Sequence, residues 1–187
     1  MNDAGVRPFS IRALLEDRAR YLVPMYQRNY AWGEGEITQL LQDVLDYQQK
    51  LVSGKGPQTY YIGTLVVFAR DDGSFEVIDG QQRFTTLSLL ANWLKHHAID
   101  SVDMSWYQTI NLAFESRPIS SHTFERLWQG VAPYDLRGST FNEGLVNGFE
   151  LIDKAMADLG LVGAKLTAFC DYLFKHVQIS RIEVPKD

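Results

Sequence analysis

Two arginines keep similar company in this chain: Gln27-Arg28 within "PMYQRNYAW" (24–32) and Gln82-Arg83 within "VIDGQQRFTTL" (77–87). A guanidinium beside side-chain amides is equipped to bind phosphates, carboxylates or base edges. The second pair falls in what reads as the first turn of a helix, since a strand pattern ends near Ile78 and a helical one opens near Gly80. Such a turn exposes unpaired backbone N–H groups and a partial positive charge. Asp79 as N-cap with Gln82 three residues later makes a capping box, which accounts for both residues without a ligand. It leaves Arg83 unexplained, because a cation in the first turn opposes the helix dipole. An anion held between Arg83 and the bare N–H groups explains it, with Gly80 allowing close approach to the backbone. Pairing of Arg83 with an internal acid is the competing explanation, and the residues leave both open. The same choice stands at Arg28: Tyr26, Tyr30 and Trp32 either pack as an aromatic edge under its guanidinium or offer a stacking surface beside a shared anion.

The elements that must position these residues are legible from periodicity. "FSIRALLED" (9–17) predicts a short helix capped by Ser10, with Ile11, Leu14 and Leu15 on one face. "YLVPMYQRNYAW" follows as an extended segment around Pro24. Ile37, Leu40, Leu41, Val44 and Leu45 form a helical stripe reaching about Leu51. "YYIGTLVVFA" (60–69) is nearly continuous in apolar residues and predicts a buried strand. "RDDGS" (70–74) has hairpin-turn chemistry, "FEVI" (75–78) returns as the partner strand, and a helix follows at about 80–97. Beyond residue 100 the pattern is mostly helical, with a strand at 109–115, helices at 120–130, 142–159 and 163–176, and a terminal strand at 177–184. That strand ends the given sequence, so the expectation is a piece of a longer chain. The fold class expected is α+β, in two parts: 1–100 around the two arginine motifs, and 101–187 as a helical lobe ending in a strand.

Bulk properties exclude several functions. The chain has 187 residues, 45% hydrophobic and 22% charged, enough for a buried core. No apolar run is long enough to span a membrane, and no basic-then-apolar leader opens the chain. Cytoplasmic residence is the expectation. Cys170 is the single cysteine, which removes internal disulfides and multi-cysteine zinc sites. His96, His97, His122 and His176 form no metal-ligand spacing, and the first two suit a helix C-terminus. A net charge of −5 argues against a nonspecific nucleic-acid coat. Residues 1–30 nevertheless carry five arginines against three acids, which leaves room for a local anion-binding face.

In order and spacing, "VPMYQRNYAW", then "YYIGTLVV" about 30 residues later, then "VIDGQQRFTTL" resemble the N-terminal domain of the GmrSD-type restriction family. The likeness runs from "FSIRALLED" to Leu94, and "FESRPISSHTFERL" (114–127) resembles more loosely the opening of that family's helical half. The resemblance implies a ParB/sulfiredoxin-like fold and an anti-phage, modification-dependent restriction system. It implies binding and hydrolysis of a nucleoside triphosphate, with Mg²⁺, at the DGQQR motif. Carried over by position, Asp79, Gln81, Gln82 and Arg83 are the catalytic residues. Tyr26, Gln27, Arg28, Gly80 and Arg83 are the nucleotide-binding set, and Asp79 is the metal ligand. The implied partners are modified double-stranded DNA and a C-terminal or separate nuclease region, with a homo-oligomer left open. Phe84 stands where the family more often has leucine. The given sequence stops where members of the family usually continue into a phenylalanine-glutamate and asparagine-x-arginine-glycine segment, and the family's C-terminal histidine-rich nuclease region is absent from it. Three alternatives to an NTPase stay open: a module that binds nucleotide or DNA without turnover, an anion site for DNA phosphate, and a nuclease in its own right.

Overall fold

Ser10 closes one element and opens the next. It ends β1 (Val6–Ser10), and its hydroxyl accepts from the Ala13 N–H to cap α1 (Ile11–Leu15). The helix and its cap are those expected, whereas β1 has no signal of its own in "VRPFS". The computed structural model describes residues 5–185. Asp3, part of the N-terminal charge balance, and Asp187, where the given sequence stops, lie outside the described residues.

The chain continues through β2 (Tyr21–Val23), α2 (Glu34–Val52), β3 (Tyr60–Ala69), β4 (Phe75–Asp79) and α3 (Gln81–His97). It then adds β5 (Leu112–Phe114), α4 (Pro118–Trp128), α5 (Glu143–Asp158), α6 (Gly163–Lys175) and β6 (Val177–Glu183). The class is α+β, a mixed sheet in the order β1-β6-β3-β4-β2-β5. β3 and β4 form the expected antiparallel hairpin, and Gly73 turns it at φ +87°. The terminal strand is internal to the sheet: β6 lies between β1, antiparallel, and β3, parallel. β5 joins the other end beside β2, in parallel. Strands from residues 101–187 thus flank strands from residues 1–100, and one apolar core contains Leu41, Leu87, Val146, Phe169 and Ile179 alike.

α5 packs on α2, α3 and α4, while α6 packs on α1 and α2. Their stripes (Ile37, Leu41 and Val44 of α2; Val146, Phe149 and Ile152 of α5) are buried, and the two helices pack on each other. β3 is not buried on both faces as its composition predicts. Ile62, Leu65 and Val67 point into the core, whereas Tyr61, Gly63 and Thr64 are exposed. The register against β6 shifts between Tyr61 and Thr64, and Gly63 sits in that irregularity at φ +128°. Only a glycine adopts such a backbone without strain.

Arg181 fastens the two halves from inside. Its guanidinium is sandwiched between the Phe9 and Phe75 rings, at 4.8 and 4.4 Å, and donates to the Tyr21 hydroxyl at 2.8 Å. Tyr21 in turn donates to Asp17 at 2.6 Å. The buried charge is therefore matched by an acid and by aromatic faces, which is the condition under which a charge is tolerated in a core.

Candidate functional site

The β4–α3 turn is built on Gly80. It takes φ +97° and serves as the N-cap of α3, with no side chain capping the first turn. This corrects the capping box expected between Asp79 and Gln82. Asp79 Oδ1 instead accepts from the Gly80 N–H at 3.0 Å. The left-handed turn brings Gly80 against β3, where a Cβ would lie 2.8 Å from the Thr64 carbonyl oxygen. A residue with a side chain would be both strained and obstructed there.

Gln82 is turned away from any cap. It is buried, accepts from the Ala31 N–H at 2.8 Å and donates to the Asn29 carbonyl at 3.2 Å. Gln27 donates to the Ile78 carbonyl at 2.9 Å, and Gln81 donates to the Gln27 side-chain oxygen at 3.0 Å. The glutamines thereby tie the 24–32 segment to the end of β4 and the first turn of α3. One turn deeper, the Tyr30 hydroxyl bonds Thr86 at 2.7 Å. Burial pushes that hydroxyl up to about 12, so it stays a neutral hydrogen-bonding group at ordinary pH.

The arginines are left over. Among the described residues, neither Arg28 nor Arg83 makes an ion pair or a hydrogen bond, and no internal carboxylate claims them. The Arg83 guanidinium lies over Gly63, where a Cβ would come within 2.7 Å of Nη1. Arg28, Trp32, Asp79, Gly80, Gln81, Gln82 and Arg83 line one cleft of about 190 Å³. Two unpaired guanidiniums and an uncapped helix N-terminus at one cleft make a place for a negative group.

Two expected residues are not on that cleft. Tyr26 is exposed and donates to Glu76 at 2.9 Å. Gln27 lies behind the cleft wall, in the amide chain just described. Glu76 also receives Arg70 at 2.7 Å, and Arg70 reaches Glu115 at 2.5 Å. These two carboxylates hold the Arg70 guanidinium above its usual pKa, and Arg70 holds the Glu115 carboxyl below its own.

Trp32, expected beside Arg28, is on the cleft. Two residues at or around the cleft escape sequence reasoning. Gly63 lies within what reads as one continuous strand. Arg117, N-cap residue of α4, donates through Nη2 to the Met25 carbonyl at 3.1 Å and to the Gln27 carbonyl. Its signal is the Arg-Pro step before a helix, which marks the helix start and says nothing of a partner about 90 residues away.

Residues 11–187 match the family model described as the GmrSD restriction endonuclease, N-terminal domain. The chain belongs to that family. No curated protein matches it. Membership makes the chain part of a restriction endonuclease system, and the GmrSD match takes in β2 through β6, the cleft and α1 through α6. No helix among the described residues is long and apolar enough to cross a membrane.

Whether a cation suits the GmrSD-type cleft depends on its donors. Asp79 is the carboxylate on the lining, and one of its oxygens is engaged by Gly80. Among the described residues no cluster of three or more metal-binding side chains exists. Mg²⁺ is typically held by one or two carboxylates together with phosphates and water, so a single Asp on a cleft lined by two unpaired guanidiniums fits it where a phosphate supplies the other ligands.

Proposed function

We propose that this GmrSD N-terminal domain binds a nucleoside triphosphate at the β4–α3 turn and hydrolyses it, as the sensor part of a modification-dependent restriction protein. The observation that carries this is the pair of unpaired guanidiniums, Arg28 and Arg83, on one cleft with the uncapped turn at Gly80. Arg83 and the first N–H groups of α3 hold the phosphates, and Arg28 closes over them from the opposite segment. Gln81 and Gln82 keep the two segments in register, and the free Asp79 oxygen orients water or a cation. When bound, Mg²⁺ would be held by Asp79 and the phosphates and would offset their charge. Catalysis by such a site is positioning and electrostatic stabilisation. The domain would work in the cytoplasm, coupling hydrolysis to sensing of modified double-stranded DNA and to cutting by a nuclease region.

Phosphate release by Arg83→Ala tests this. The expected result is loss of turnover with unchanged circular dichroism and Tm, because Arg83 supports no internal hydrogen bond or ion pair. Wild-type turnover in that variant would remove the assignment. Titration with the four nucleoside triphosphates, with and without Mg²⁺, tests binding apart from turnover. Binding without phosphate release would instead identify a non-catalytic module. DNA binding that falls steeply with salt and ignores added nucleotide would identify DNA phosphate as the occupant.

A further inference from the structure

The cleft at Arg28 and Arg83 has a volume of about 190 Å³, below the roughly 300 to 1,000 Å³ of pockets that enclose organic ligands. A triphosphate held there leaves the nucleoside to extend beyond it. A much larger cavity, about 730 Å³, is lined by Lys95, His96 and residues 99–105 at the far end of α3. With 17 residues at about 1.5 Å each, that helix puts this cavity too far from Arg83 for one ligand to occupy both.

A second cavity, of about 490 Å³, is lined in part by the residues that follow Arg28 in the chain. Arg28 lines the first, and the next residues, Asn29 and Tyr30, line the second. A single short segment thus forms a wall of both. The second cavity is closed by Arg117 and Ile119 at the start of α4 and by Phe141 and Glu143 at the start of α5. Its chemistry is mixed and available. Among the described residues the Asn29 amide and the Glu143 carboxylate have no partner, and Arg117 keeps donors beyond the Nη2 used on Met25 and Gln27. Ile119 is 46% exposed, and Phe141, stacked on His122 at 5.4 Å, is still partly open. A carboxylate acceptor, an amide and a guanidinium around an aromatic and an aliphatic surface suit a flat heterocycle bearing N–H groups and a sugar bearing hydroxyls.

We infer that this second cavity is the nucleoside subsite: it receives base and ribose while the triphosphate reaches over the 28–30 segment to Arg28 and Arg83. Glu143 accepts from the base edge or the ribose, Asn29 bonds across the wall, and Phe141 and Ile119 cover the apolar face of the ring. The inference rests on the nucleotide reading of the first cleft and adds where selectivity for the nucleoside resides.

Calorimetric titration with ATP, GTP, CTP, UTP and inorganic triphosphate, each with Mg²⁺, tests it on the wild-type chain, Glu143→Gln and Ile119→Trp. Both positions are exposed, and Tm confirms that the variants fold. At least one nucleoside triphosphate should bind the wild type more tightly than inorganic triphosphate. Each variant should weaken that nucleotide by about tenfold or more, a loss of about 1.4 kcal/mol, and leave inorganic triphosphate unchanged. Variants that bind the nucleotide like wild type, with triphosphate still bound, would overturn the subsite and spare the phosphate cleft. A wild type that binds neither ligand would overturn both.

Discussion

The guanidinium of Arg83 rests on Gly63, so near that a Cβ on the glycine would lie 2.7 Å from Nη1. The two residues come from elements that are neighbours through the β3–β4 hairpin, and their closeness depends on a strand irregularity that only glycine fits. The floor under the arginine is therefore bare backbone, and the arginine can lie flat on it while pairing with nothing.

Gly63→Ala should consequently separate site geometry from fold. The methyl group would meet the far end of a flexible side chain, so the clash is relieved by moving the guanidinium. The backbone strain at φ +128° adds a cost of about 1–3 kcal/mol. The expected outcome is a modest drop in urea stability with a loss of about tenfold or more in triphosphate affinity. An alanine variant with normal affinity would show that Arg83 needs no such bed.

Gln82 holds both a carbonyl and an N–H of the opposing segment, so removing its amide should act at a distance on Arg28. For Gln82→Ala the expected destabilisation is about 1–3 kcal/mol, because the Ala31 N–H and the Asn29 carbonyl are left without their buried partner. Gln82→Glu can still accept from Ala31 but cannot donate to Asn29, and it should weaken nucleotide binding more than its stability loss accounts for. Urea unfolding and titration on the same samples decide this.

Arg117 and Arg28 should be coupled, because one grips the backbone on which the other is carried. Arg117→Ala should weaken nucleotide binding when Arg28 is present and add little in an Arg28→Ala background. Its effect on Tm should be the same in both backgrounds. Additive effects on affinity would mean that Arg117 acts without positioning Arg28, through its own free donors on the second cavity or through α4.

Cys170 is buried, and desolvation pushes its thiol up to about 12. In the native chain it should resist a thiol reagent at pH 8 and react fully in urea. The linkage sign follows from the raised value. The folded state keeps the proton that the unfolded state releases from about pH 8.5 upward, so this contribution is intact below that pH and fades as pH climbs toward the folded value. Between pH 7.5 and 10, urea stability should fall less steeply for Cys170→Ala than for wild type.

Local pattern suffices for much of this architecture. The stripe of α2, the Ser10 cap of α1 and the "RDDGS" turn with Gly73 at φ +87° depend on residues within a few positions of each other. β1 and the internal place of β6 do not show, because "VRPFS" becomes a strand only by pairing with residues 178–182, at the other end of the chain. At the site the arginines stand out, since a first-turn cation contradicts local preference. The role of Gln82 is hidden, because its partners Asn29 and Ala31 are brought there by the fold. The cap differs from expectation for a related reason: what favours Gly80 over Asp79 is the proximity of the Thr64 carbonyl.

Arg181, wedged between Phe9 and Phe75, ties a strand near the end of the described chain to the hairpin that feeds the arginine cleft. A cut after α6 would strip away that cation together with the strand between β1 and β3, parting the sheet and leaving two aromatic rings facing a hole. Boundaries for producing this domain should therefore run past Glu183, since a division at residue 100 would separate β6 from β1 and β3 and β5 from β2.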